Sequence, residues 1–251
     1  GKPLAAARLG DAPESIRSLA NEGANRTMPE AARVLHALPT LAGDTVYTND
    51  SETVCAFDRF TLSRKWKTTI VGPPSNSPQA ARQPGLEDPS AVAVSPPYVA
   101  ALMGLSLQGR SAQERTLAVL DAATGDVRWT VRLSESDDPR LQGGLLRGPA
   151  LIDEGVVMVS VVRSVARHRL LGVSVAAFDL RSGALAWIRP ISSIGFVAWA
   201  MSPEVTDPLL VEDGVVYRAD RLGTIAAIES ASGRPIWIRR TPRALEQRGR
   251  I

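Results

Sequence analysis

The side chains here that could carry chemistry are few and unevenly placed. Cys55 is the single cysteine, and His36 and His168 are the two histidines. A thiolate nucleophile needs a base beside it, and a zinc site needs three or four soft ligands, so this inventory supplies neither. One cysteine also excludes a disulfide within the chain. Four acids, Asp58, Asp121, Asp179 and Glu229, recur along the sequence and could serve as a carboxylate set for proton transfer or cation binding. Arg163, Arg167, His168 and Arg169 crowd one short segment and could meet an anion or an acidic partner. No serine–histidine–aspartate motif or phosphate loop accompanies them, and Gly143-Gly144 alone carries no such signal.

The spacing of the four acids points to construction rather than catalysis. Each acid stands eight residues before a tryptophan: Trp66, Trp129, Trp187 and Trp237. Thr or Ser follows each acid by three residues. Gly follows by four in three cases, Gly125, Gly183 and Gly233, while Leu62 holds that place in the first. Such a unit reads as a strand ending in an acid, a tight turn and a return strand ending in Trp. The carboxylate accepts hydrogen bonds from turn amides, and Gly supplies the positive φ. The Trp fills the gap between neighbouring sheets. On this reading the acids lie one per repeat, far apart.

Each unit is preceded by another strand pair. The clearest runs Leu209-Leu210-Val211, Glu212-Asp213-Gly214, Val215-Val216-Tyr217-Arg218; a proline opens each first strand (Pro39, Pro89, Pro149, Pro208). Four short strands per repeat of this length is the pattern of a β-propeller blade. The fold class is therefore all-β, with four-stranded antiparallel blades over about 39–67, 89–131, 148–189 and 208–240. The first 38 residues differ. Pro13-Glu14 and Pro29-Glu30 each open a short helical pattern, with proline and an acid in the first turn.

These residues resemble a known family. Leu120-Asp121-Ala122-Ala123-Thr124-Gly125-Asp126-Val127-Arg128-Trp129 is similar to the repeat of PQQ-like (quinoprotein-like) propellers. That family includes quinone-dependent dehydrogenases and non-enzymatic members such as the lipoprotein scaffold of the outer-membrane β-barrel assembly machinery. The resemblance spans about residues 39 to 240 and implies fold more than function. Its enzymes use a calcium ion, an acidic residue, a stacking Trp and often adjacent cysteines. This sequence lacks adjacent cysteines, so no catalytic, cofactor-binding or metal-binding residue is carried over. Family propellers have seven or eight blades, and open sheet edges are a liability. The four blades therefore read as part of a longer propeller, completed by more chain or by a partner.

Composition narrows the classes further. With 44% hydrophobic residues the chain can build a core, which excludes a disordered protein. No apolar run approaches the length of a membrane span. The formal charge is +3, and Lys2, Lys65 and Lys67 are the only lysines among 29 basic residues. That arginine bias reads as genome composition, not as a nucleic-acid surface.

Loop lengths then locate a candidate interaction surface. In an up-and-down blade the first and third turns share one face. The long segments fall on the other: the connectors 67–88, 134–148 and 190–207, and the hairpins near 104–114 and 163–171. Binding concentrates on loops carried by a rigid scaffold. The interaction candidates are Arg110, Arg115, Arg163, Arg167, His168 and Arg169, with the off-frame Trp199. The reading is a scaffold without cofactor that binds protein partners in an extracytoplasmic bacterial assembly, reaching a membrane only through partners or flanking chain. A quinoprotein-like oxidoreductase fragment and a ligand-sensing propeller stay open as alternatives.

Overall fold

A computed structural model describes residues 38–70, 90–104, 114–165, 170–195, 209–219 and 223–240. The helical expectation for the first 38 residues falls almost wholly outside them.

Among the described residues, sixteen strands form four four-stranded antiparallel sheets, each ordered as in the chain. Blade 1 contains β1 (Thr40–Ala42), β2 (Thr45–Asn49), β3 (Thr53–Asp58) and β4 (Arg64–Thr69). Blade 2 contains β5 (Val92–Ser95), β6 (Tyr98–Met103), β7 (Thr116–Asp121) and β8 (Val127–Arg132). Blade 3 contains β9 (Gly144–Asp153), β10 (Val156–Val165), β11 (Leu170–Asp179) and β12 (Leu185–Gly195). Blade 4 contains β13 (Leu209–Glu212), β14 (Val215–Ala219), β15 (Thr224–Glu229) and β16 (Pro235–Arg240). The chain is thus an all-β, four-bladed propeller-like fold.

Strand composition follows position in the blade. The middle strands of blades 2 and 3 are apolar on both faces because each packs between two neighbouring sheets. In β7, Thr116 through Leu120 are all buried. The fourth strand of blade 1 is largely polar: in Arg64-Lys65-Trp66-Lys67 of β4 only Trp66 is buried. Three apolar cores lie between consecutive blades. Tyr47, Ala56 and Trp66 meet Val99, Ala118 and Leu120. Ala100, Val119 and Leu117 meet Val157, Ala176 and Phe178. Met158, Ala177 and Trp187 meet Val216, Ala226 and Ile228. First strands converge: β9 lies against β5 and β13.

Several boundaries differ from the sequence reading, mostly in blade 3; in blade 1, β4 runs to Thr69, past the expected start of the connector at 67. Pro149 does not open its strand, since β9 begins at Gly144. The register against β10 shifts between Met158 and Ser160, and Gly148 before the proline has φ +73°. This bulge absorbs the missing N–H, so the strand continues through the proline. The segment taken as a hairpin loop over 163–171 is largely strand, because β10 and β11 stay paired from Val156↔Asp179 to Val165↔Leu170. Likewise β12 runs to Gly195 into the presumed connector, pairing Gly195 with Leu170.

Candidate functional site

At one end of the molecule the four repeat turns are built alike. Asp58 accepts from the Phe60 and Thr61 amides at 3.0 and 2.9 Å. Asp121 accepts from Ala123 and Thr124, and Asp179 from Arg181 and Ser182. These bonds favour the charged form and lower all three carboxyl pKa values. For Asp58 the turn amides lead; for Asp121 the Arg128 guanidinium leads; for Asp179 the Ser182 hydroxyl leads. Glu229 is also lowered, first by the Ser232 hydroxyl and then by Arg234. Its longer side chain reaches those groups in place of the turn amides. Each turn is tied to the preceding hairpin of its blade: Arg59 N–H donates to Asp44, Ala122 to Pro97, Leu180 to Gly155 and Ser230 to Gly214. First and third turns therefore share this end.

The tryptophans lock blade to blade. Trp66 Nε1 donates to the Ala122 carbonyl at 3.1 Å, Trp129 Nε1 to Leu180 at 3.0 Å and Trp187 Nε1 to Ser230 at 2.9 Å. Each acceptor is the residue just after the acid of the next blade. The indole rings lie on the turn glycines. A Cβ on Gly125, Gly183 or Gly233 would stand 2.6, 2.8 or 2.5 Å from the ring of Trp66, Trp129 or Trp187. Glycine is required there for the close approach as well as for its positive φ of +79°, +74° and +69°. Two locks carry a further bond: Thr68 Oγ1 donates to the Gly125 carbonyl and Arg189 Nε to that of Gly233. Leu62 takes the glycine position of blade 1 and keeps its backbone, with φ +55°.

The opposite end is built differently. From it depart the strand ends that flank 71–89, 105–113, 166–169 and 196–208. Nearly all buried polar side chains sit here: Asn49, Ser51, Thr53, Ser90, Thr116, Thr224 and three arginines. Asn49 Nδ2 donates to the Leu102 carbonyl, and the Ser51 and Ser90 hydroxyls share a bond at 2.8 Å. Burial pushes the Asp50 carboxyl up despite bonds from the Glu52 and Thr53 amides. The connector between blades 2 and 3 is a braced loop with a short 3-10 turn at Leu133–Glu135. Glu114 accepts from the Ser134 amide at 2.8 Å, and Arg163 Nη1 donates to the Pro139 carbonyl at 2.7 Å. Asp138 pairs with Arg140 and is lowered to about 2, mainly by that guanidinium.

The interaction candidates divide accordingly. Arg163 lies at this end, holding the connector through Pro139. Arg115 was expected on an exposed loop but is only 4% exposed, immediately before β7. It enters the packed end of the blade rather than the hairpin tip. Arg110, Arg167, His168, Arg169 and Trp199 lie outside the described residues. Arg147 and Arg218 were not singled out, yet they are buried beside Arg115's end of the fold. None of the three arginines lacks a partner, as buried charge requires. The available signal was a charge inside an apolar run, Leu145-Leu146-Arg147 and Val216-Tyr217-Arg218.

The comparisons with known proteins agree with this geometry. A family model described as outer membrane protein assembly factor BamB matches residues 171–247. No curated protein matches the chain. Among solved structures, a europium-containing methanol dehydrogenase superimposes with TM-score 0.57 at 16% identity, covering 80% of this chain and 41% of that one. A quinohemoprotein alcohol dehydrogenase from Comamonas testosteroni gives 0.56 at 16%, covering 82% and 35%. BamB from Moraxella catarrhalis gives 0.49 at 16%, covering 82% and 52%. The chain spans about half of those structures' length or less, and its likeness to the two dehydrogenases is one of fold.

A bound quinone with its cation would need converging carboxylates or other ligands. Among the described residues no three His, Cys, Asp or Glu side chains come together. The four turn acids sit one per blade and are engaged in their own turns. No helix among them is long and apolar enough to cross a membrane.

Proposed function

We propose that this PQQ-like propeller segment is a non-catalytic scaffold that holds a protein partner on its loop end. The assembly would be bacterial, extracytoplasmic and associated with the envelope. The observation that carries the reading is the contrast between the two ends. One is closed by four near-identical turns whose acids are spent on turn hydrogen bonds. The other gathers the long segments, the buried arginines and a braced connector, which is where a rigid scaffold presents binding groups. The family description, an outer membrane assembly factor, supports the same class of role.

Replacing 105–113 and 166–169 with Gly-Ser linkers tests it. The partner retained from native extract should be lost while the melting temperature holds. Reduction of a dye by the intact chain with calcium and pyrroloquinoline quinone would overturn the reading.

A further inference from the structure

Each blade from the second to the fourth turns a pair of third-strand side chains toward the blade before it. Ala118 and Leu120 face blade 1, Ala176 and Phe178 face blade 2, and Ala226 and Ile228 face blade 3. In blade 1 the same positions are Cys55 and Phe57, and neither belongs to a core between blades. No described blade packs a core on that face, yet Cys55 is 2% exposed and Phe57 5%. The uncovered face of blade 4 behaves differently. There Ile225, also on a third strand, is 36% exposed. Cross-strand neighbours do not account for Phe57, because they are Val46 and the exposed Arg64.

Whatever covers β3 is narrower than a blade. Val99, Val157 and Val216 on the second strands are fully buried, whereas Val46 in the same place is only partly so. Leu41 on β1 is 59% exposed, although Val94, Ile152 and Val211 in its place pack against a neighbouring blade. Burial on this face is thus concentrated on Thr53, Cys55 and Phe57 of one strand. A helix about 10 Å across matches that footprint, since strands lie about 4.8 Å apart. A four-stranded sheet reaches the inner strand as well. Leu62 agrees: its left-handed φ of +55° sets a side chain where an arriving indole needs bare backbone.

Residues 29–37, outside the described residues, have the pattern and the position. Pro29-Glu30 opens a helical pattern in which Ala31, Val34, Leu35 and Leu38 recur at i, i+3, i+4 and i+7, on one face. Their exit is pinned: the Leu38 amide donates to the Ser90 carbonyl at 2.8 Å, and Thr40 Oγ1 to that of Val92 at 2.9 Å. This is the loop end, where Thr53 and Cys55 lie, while Leu41 is nearer the turns. From β1 to β3 is two strand spacings, about 10 Å, and a helix of nine residues is about 13 Å long. The other flanks fit less well. Residues 71–89 lead from β4 to blade 2, away from this face, and contain Gly72-Pro73-Pro74. Residues 241–251 carry three arginines against one acid, and exposed Arg64 and Lys67 already border Phe57 and Cys55. We infer that residues 29–37 form a helix whose Ala31, Val34 and Leu35 face lies across β3, capping blade 1 in place of a preceding blade. The inference is independent of any partner on the loop end, so either can fail alone.

Cys55 is the sole cysteine and lies beneath this cap, so its thiol reports on it directly. In the full chain maleimide should label it slowly. Leu35→Asp, on the apolar face, should speed labelling about tenfold or more by opening the cap locally, with the melting temperature of the blades held. Arg33→Asp, on the opposite face, should leave it slow. A second measurement needs no disruptive change. Under mild oxidation at least one of Ala31→Cys, Val34→Cys and Leu35→Cys should form a disulfide with Cys55 within one molecule, while Leu86→Cys and Leu245→Cys should not. Fast labelling of the unaltered chain, or equal rates in Leu35→Asp and Arg33→Asp, would overturn the inference. So would a disulfide from Leu86→Cys or Leu245→Cys, which names another flank as the cover, or one between two molecules, which names a second copy. Absence of any disulfide from the three helix positions would overturn it as well.

Discussion

Blades 1 and 4 are built on the same plan and differ in which half of a lock they complete. Blade 1 gives Trp66 to its successor and receives nothing in the same geometry, because Leu62 stands at the turn. Blade 4 receives Trp187 on Gly233 and leaves Trp237 half-exposed. One turn position therefore separates a turn that takes a tryptophan from one that does not. The same tryptophan is core in one blade and surface in the other, so its contribution is a property of the neighbour.

The sharpest test removes the ring on each side of that contrast. Trp187→Ala should cost about 3–5 kcal/mol in denaturant unfolding, while Trp237→Ala should cost less than about 1 kcal/mol. Equal losses would break the distinction. The turn position comes next, with opposite signs. Gly183→Leu brings a Cβ against Trp129 at a positive φ and should cost about 2–4 kcal/mol. Leu62→Gly relieves a left-handed leucine and should change stability by less than about 1 kcal/mol. Thr68→Val deletes one bond across the first junction and should cost about 1 kcal/mol by thermal melting.

Acid titration should give the smallest and most graded effect. Asp58, Asp121, Asp179, Glu229 and Asp138 all have folded values below their ordinary ones. Their contribution is present above the unfolded carboxyl range and is lost as pH falls through the folded values, to about 2 for Asp138. Stability should decline over that acid range, and Asp179→Asn should flatten the decline. Because turn amides lead for Asp58, whereas Glu229 leans on a hydroxyl and exposed Arg234, added salt should weaken the Glu229 turn more. A Glu229→Gln variant compared with Asp58→Asn at two salt concentrations reads this difference.

The repeat frame was legible because local chemistry fixes it. An acid, a hydroxyl and a glycine at set offsets make a turn with little help from the rest of the chain. The sequence also marked Leu62 as the odd member, without showing that its backbone keeps the glycine conformation. What was not legible depends on neighbours. Pro149 looked like a strand opener, and only pairing against β10 shows the bulge that carries the strand through it. Arg115 looked like a loop cation, and Arg147 and Arg218 stood out only as single charges inside apolar runs. Their burial comes from the blades packed beside them, which no local spacing encodes.

The lock also has a direction in time. Trp66, Trp129 and Trp187 each precede their glycine by about fifty residues, so on the ribosome these blades emerge with their apolar rows uncovered. At the usual pace of translation the wait for the next turn is roughly 3–10 s. A chain built in this order carries a sticky edge that advances with synthesis and is closed behind it. Each edge stays open until the next turn arrives, which makes these rows the surfaces a chaperone would meet during synthesis.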